Sequence, residues 1–162
     1  MQERVASLRP VLATGIIAGL IGAVLLDAYS IVTTDLIDRA QHVTPLVWIG
    51  EIFQFYAALL VGKTAACNPK CELIGLATNL VISSAWGIGY AYVVASRPGL
   101  LARPFGAGIL YGFIVYAAMQ LMALAANVFT APDALRFYNE LVAYTFFFGV
   151  PVAYVARRRM RA

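Results

Sequence analysis

The sequence predicts an all-α membrane protein: a polytopic four-helix bundle with an extra re-entrant or interfacial helix between its first two spans. Three observations carry this. Hydrophobic residues make up 62% of the 162 and charged residues only 12%, against about 25% charged in a typical soluble domain. A chain of this length makes one domain and cannot hide that much apolar surface in water. Four segments, 11–34, 73–95, 105–127 and 139–156, are each close to the ~20 apolar residues that a ~30 Å hydrocarbon core requires. A fifth apolar stretch, PLVWIGEIFQFYAALLVG over 45–62, carries Glu51 and Gln54 near its middle.

The first segment follows basic residues, as a signal peptide does. Its apolar run is long, lacks a cleavage site and precedes further spans, so it reads as the first transmembrane helix. Asp27 and Glu140 are the acidic residues within the four spans. The connections ASRPGLLARP and VFTAPDALRFYN hold proline with basic or polar residues, as interfacial turns do. Between the fifth segment and the second span, CNPKC holds both cysteines, Cys67 and Cys71. With a lone His42 they make no four-ligand zinc site. A disulfide is expected if the loop faces an oxidising compartment; a tight turn with two free thiols is the alternative.

Charge bears on whether 45–62 crosses. If it does not, Arg4, Arg9, Arg97, Arg103, Arg157, Arg158, Arg159 and Arg161 share the cytoplasmic side, with Arg39, Lys63, Lys70 and Arg136 outside: eight against four. If it crosses and the C-terminus stays inside, the count is seven against five. The positive-inside rule favours four spans and both termini in the cytoplasm. Internal similarity agrees. RPVLATGIIAGLI is echoed by RPFGAGILYGFI, and WGIGYAYVVASR by FGVPVAYVARRR. A duplicated two-helix unit repeated in one orientation requires that 45–62 not span.

GIIAG and GILYG place Gly15 with Gly19 and Gly108 with Gly112. Glycines at this spacing let another backbone approach closely. They form either a dimerisation face or, more economically for a small bundle, a joint between these two helices. Each span also carries one polar stripe: Asp27, Thr34 and Asp38; Asn79, Ser83, Trp86 and Tyr90; Tyr116, Gln120 and Asn127; Glu140 and Tyr144. Such stripes turn away from lipid. Asp27, Asn79 and Gln120 fall roughly 22–24 Å, and Tyr144 about 18 Å, from the cytoplasmic helix ends. They form a layer that Glu51 would close from above. This candidate site is either a cavity for a small polar or cationic solute or for protons, or a cluster fixing helix register, with Asp27 protonated or bonded to Gln120 or Asn79.

No span holds a histidine, which excludes haem or chlorophyll ligation by paired membrane histidines. The sequence contains no phosphate-binding loop, metalloprotease motif or nucleophile elbow. No catalytic residue, metal or cofactor is predicted. The arginines at the C-terminus suit anionic lipid rather than nucleic acid.

GLIGAVLLDAY, LLVGKTAA, ELIGLATNLVISSAWGIGYAYVVASR, RPFGAGILYGFIVYAAMQLMAL and FFGVPVAYVARR follow one another in an order that resembles a family of small uncharacterised bacterial inner-membrane proteins with four spanning helices. The resemblance implies that fold and that membrane, and no substrate. It also implies histidines near the positions of Asn79 and Tyr144, where this chain departs. The expected function is that of a non-enzymatic packing or accessory subunit, partnered by the bilayer and by other membrane subunits or itself. The alternative is a small-solute, ion or proton carrier.

Overall fold

The computed structural model describes residues 2–37, 45–62, 69–129, 131 and 134–161. It contains α1 (Gln2–Ile37), α2 (Pro45–Val61), α3 (Pro69–Ser96), a 3₁₀ turn (Pro98–Ala102) and α4 (Pro104–Ala125). A last continuous helix follows, made of α5 (Ala134–Val142), a π-helical segment (Ala143–Gly149) and α6 (Val150–Arg161). Proline opens α2, α3, the 3₁₀ turn and α4, where its missing N–H would be unpaired in any case. Two helices end in the left-handed conformation. Gly62 (φ 78) follows α2 and donates to Ala58 O at 2.9 Å; Asn127 (φ 56) follows α4, and Val128 N–H returns to Ala123 O at 2.9 Å, as helix-terminating motifs do.

Among the described residues no strand occurs, and four helices are long and apolar enough to cross a membrane: Leu8–Thr33, Cys71–Ser96, Pro104–Ala125 and Ala134–Arg161. They cover the four segments expected from the sequence. The last helix begins at Ala134, upstream of the expected 139, because the polar turn ahead of the span is itself helical. The outward surface is apolar: Leu73 and Val81 are each 68% exposed and Leu121 65%. Lipid is the solvent that accepts such a surface.

Contacts fix the direction of every helix. A Cβ added at Gly15 would meet Ile88, and one at Gly19 would meet Ser83, so α1 and α3 are antiparallel. Gly108 meets Val150 and Gly112 meets Tyr144 and Thr145, so α4 and the last helix are antiparallel. Gly22 meets Phe148 and Val152, while Tyr29 stacks on Phe147 at 4.1 Å, which makes α1 and the last helix antiparallel too. A single crossing by α2 would make α1 and α3 parallel. The antiparallel pairing therefore puts the start of α3 at the end of the bundle where α1 finishes. Contacts between α2 and α3 advance together, Gly50 beside Glu72 and Phe53 beside Gly75. So α2 starts at that end and runs alongside α3. A Cβ at Gly75 would lie 1.8 Å from Phe53 O; only glycine lets α2 seat there.

The two halves repeat these contacts atom by atom. A Cβ on Gly87 would strike Gly15 O, Gly19 N and Gly19 Cα at 2.1, 2.6 and 2.8 Å; one on Gly149 would strike Gly108 O, Gly112 N and Gly112 Cα at 2.2, 2.6 and 2.7 Å. The glycine pairs thus pack internally, but each faces the glycine of its own antiparallel neighbour. They do not meet each other as the sequence reading had them. The reason is steric: Gly87 and Gly149 complete each joint by removing the side chain that would stand between the backbones.

Candidate functional site

The polar stripes meet inside the bundle. Asn79 Nδ2 donates to Asp27 Oδ2 at 2.7 Å, joining α3 to α1, and Ser83 Oγ donates to Asn79 Oδ1 at 3.1 Å. Asn79 and Ser83 are buried and Asp27 is half-buried. The helix spacing puts Asn79 and Ser83 one turn apart on a single face. One amide can then satisfy a carboxylate with its N–H and a hydroxyl with its carbonyl.

Gln120 does not reach this group. Its Nε2 donates to Glu140 Oε2 at 3.0 Å, joining α4 to α5. The Tyr116 hydroxyl lies within hydrogen-bonding reach of both Gln120 and Glu140, and Arg136, one turn before Glu140, is close enough for its charge to act on it. Between the two pairs, the hydroxyls of Tyr144 and Tyr56 are partners, and both rings lie near enough to feel the charge of Asp27. Tyr144 and Tyr116 approach ring to ring at 5.6 Å. A further polar group ties α1 to α5: Tyr29 Oη donates to Asn139 Oδ1 at 2.9 Å, and Asn139 Nδ2 donates to Thr33 Oγ1 at 3.1 Å.

Of the expected layer, Asp27 and Asn79 are in direct contact, Gln120 belongs to a second pair, and Tyr144 sits between. Glu51 lies in α2, and its side chain is outside the described residues. The residue that α2 demonstrably brings to the layer is Tyr56, five positions on. Glu140 and Tyr56 were absent from the expected site, as were Tyr29, Thr33 and Asn139. Glu140 had a signal. Counting back from Ala156 at 1.5 Å per residue places it roughly 24 Å up, level with Asp27. Tyr56 had none, because the depth of its segment was open. Cys71 is half-buried at the start of α3; Cys67 and His42, and with them the expected disulfide, lie outside the described residues. Among the described residues no three histidine, cysteine, aspartate or glutamate side chains gather as metal ligands would.

Fold and site together define an integral membrane protein, an all-α bundle of four long apolar helices with a shorter helix between the first two. Comparison with protein-family models, with curated proteins and with solved structures returns no match.

Proposed function

We propose that the protein is a non-enzymatic accessory subunit of a membrane assembly, a small packing element acting through its lipid-facing helices. One observation carries this reading: among the described residues, the polar side chains of the layer are engaged with one another across helices. Asp27 is spent on Asn79, Gln120 on Glu140, Tyr56 on Tyr144, and Asn139 on Tyr29 and Thr33. Groups so used fix helix register, because an unpaired polar group in hydrocarbon costs several kcal/mol. They leave the outer apolar surface as the part available to partners. On the family resemblance, the membrane is the bacterial inner membrane. On the positive-inside count, both termini are cytoplasmic. The test is affinity capture of the intact protein in mild detergent, with mass spectrometry of what is retained. Specific co-purifying membrane subunits support the proposal; a homogeneous protein with no companion, and no self-association, overturns it.

One observation favours a second reading, a solute or proton carrier. The non-spanning α2 reaches the layer through Tyr56, beside Asp27, where a gate would act. Under this reading Asp27→Asn abolishes uptake into proteoliposomes while expression and assembly persist; unchanged uptake rejects it.

A further inference from the structure

The glycine contacts give a residue-by-residue correspondence between the halves. Gly15 and Gly108 meet Ile88 and Val150, beside Gly87 and Gly149. Gly19 and Gly112 meet Ser83 and Ser84, and Tyr144 and Thr145. Gly87 follows Ser84 by three residues, whereas Gly149 follows Thr145 by four. The second unit therefore holds one extra residue, located among Phe146, Phe147 and Phe148. The π-helical segment Ala143–Gly149 spans this place, with Val150 N–H returning to Thr145 O. A π-turn is how a helix absorbs a single inserted residue without changing the faces on either side. Pro151, just beyond, lacks an N–H and crowds the carbonyl four residues back, which favours the wider turn.

Carried past the insertion, the correspondence pairs Asp27 with Gln120 and Asn79 with Glu140. We infer that Gln120–Glu140 is the second copy of the Asp27–Asn79 pair, with the acid moved to the opposite helix. In the first unit the carboxylate stands on the leading helix and the amide on the returning one. In the second unit the amide leads and the carboxylate returns. Both pairs are hydrogen-bonded, at 2.7 and 3.0 Å, between the same two positions of the same joint. Side-chain lengths match within each pair, two short and two long. What each joint requires is one carboxylate facing one amide; which helix supplies the acid is free. This inference rests on the geometry of the layer and not on any partner, so it stands or falls separately from the capture experiment.

The test exchanges the partners in place. Asp27→Asn combined with Asn79→Asp gives the first unit the polarity of the second. Its apparent Tm in detergent is expected within about 2 °C of the parent, with the same monodisperse elution. Asn79→Leu leaves Asp27 without its amide and is expected to lose about 5 °C or more. The mirrored exchange, Gln120→Glu with Glu140→Gln, repeats the measurement in the other joint. Exchanges that are tolerated beside a damaging Asn79→Leu support the inference. Exchanges as damaging as Asn79→Leu overturn it, and so does an Asn79→Leu variant as stable as the parent.

Discussion

Gly87→Ala is the smallest change that challenges the first joint. The new Cβ would stand 2.1 Å from Gly15 O, 2.6 Å from Gly19 N and 2.8 Å from Gly19 Cα. All three are backbone atoms of a helix, so no rotamer relieves them. Relieving the closest of these contacts to about 3.5 Å moves α1 from α3 by about 1.4 Å, and a gap of about 0.5–1 Å already forfeits a quarter to a half of each dispersion contact along the seam. Overpacking of this kind costs about 1–3 kcal/mol. The same displacement stretches the 2.7 Å bond between Asn79 and Asp27, which adds about 1 kcal/mol. The expected loss is about 2–4 kcal/mol. Reversible unfolding in mixed micelles, titrated with sodium dodecyl sulfate and followed by circular dichroism, measures it. Gly106→Ala is the control: nothing lies within 4 Å of its Cβ, so it is expected to be neutral or up to about 1 kcal/mol more stable. Unfolding of Gly87→Ala at the parent midpoint would refute the close-joint reasoning, and so would an equal loss in Gly106→Ala.

Tyr56→Phe removes the hydroxyl that meets Tyr144 and is expected to lower stability by about 1 kcal/mol. It should also speed proteolysis within 45–62, read by limited digestion in micelles. Cysteines placed at Ser7 and at Arg159 are expected to react with an impermeant maleimide from the same side of sealed vesicles, because α1 and the last helix are antiparallel; labelling from opposite sides contradicts the packing. Deleting Phe146, which is exposed, is expected to convert the π-segment to regular helix and keep parent-like stability. Deleting Tyr154, outside that segment, rotates the helix ends against each other by about 100° and is expected to prevent folding, as judged by size-exclusion elution.

The four spans were legible because composition alone forbids their exposure to water. The antiparallel pairing of α1 with α3 was legible too, from two weak signals that agree, the arginine distribution and the repeated helix openings. The partners of Gly15 and Gly108 were not, because a G-x-x-x-G motif advertises a face without saying what meets it. The repeated endings WGIGY and FGVPV did hold the answer, since they align Gly87 with Gly149. The layer was half legible. Asp27 and Asn79 emerge from height and periodicity, but Gln120 was assigned to their group when it belongs to Glu140. Helical periodicity places a side chain on a face and at a depth; it does not say which neighbouring helix that face meets.

The units match within themselves and differ in how they meet each other, and side-chain size explains it. On α1, Ala18 and Gly22 face the last helix, where a Cβ on Gly22 would already crowd Phe148 and Val152 at 2.9 Å. The corresponding positions on α4 are Tyr111 and Val115, and those on α3 are Trp86 and Tyr90. The α3–α4 seam is therefore built from large side chains: Tyr111 donates to the Trp86 carbonyl and its ring lies 4.8 Å from that of Tyr90. Small residues bring backbones together and large ones hold them apart. A duplicated unit thus yields a bundle closed tightly along one seam and wedged along the other. The wedge carries a cost that the tight seam does not: the Tyr90 hydroxyl is buried with no hydrogen-bond partner among the described residues. Its counterpart in the tight seam is Val152, which has no polar group to satisfy. The unpaired hydroxyl follows from placing a tyrosine where the repeat elsewhere uses valine.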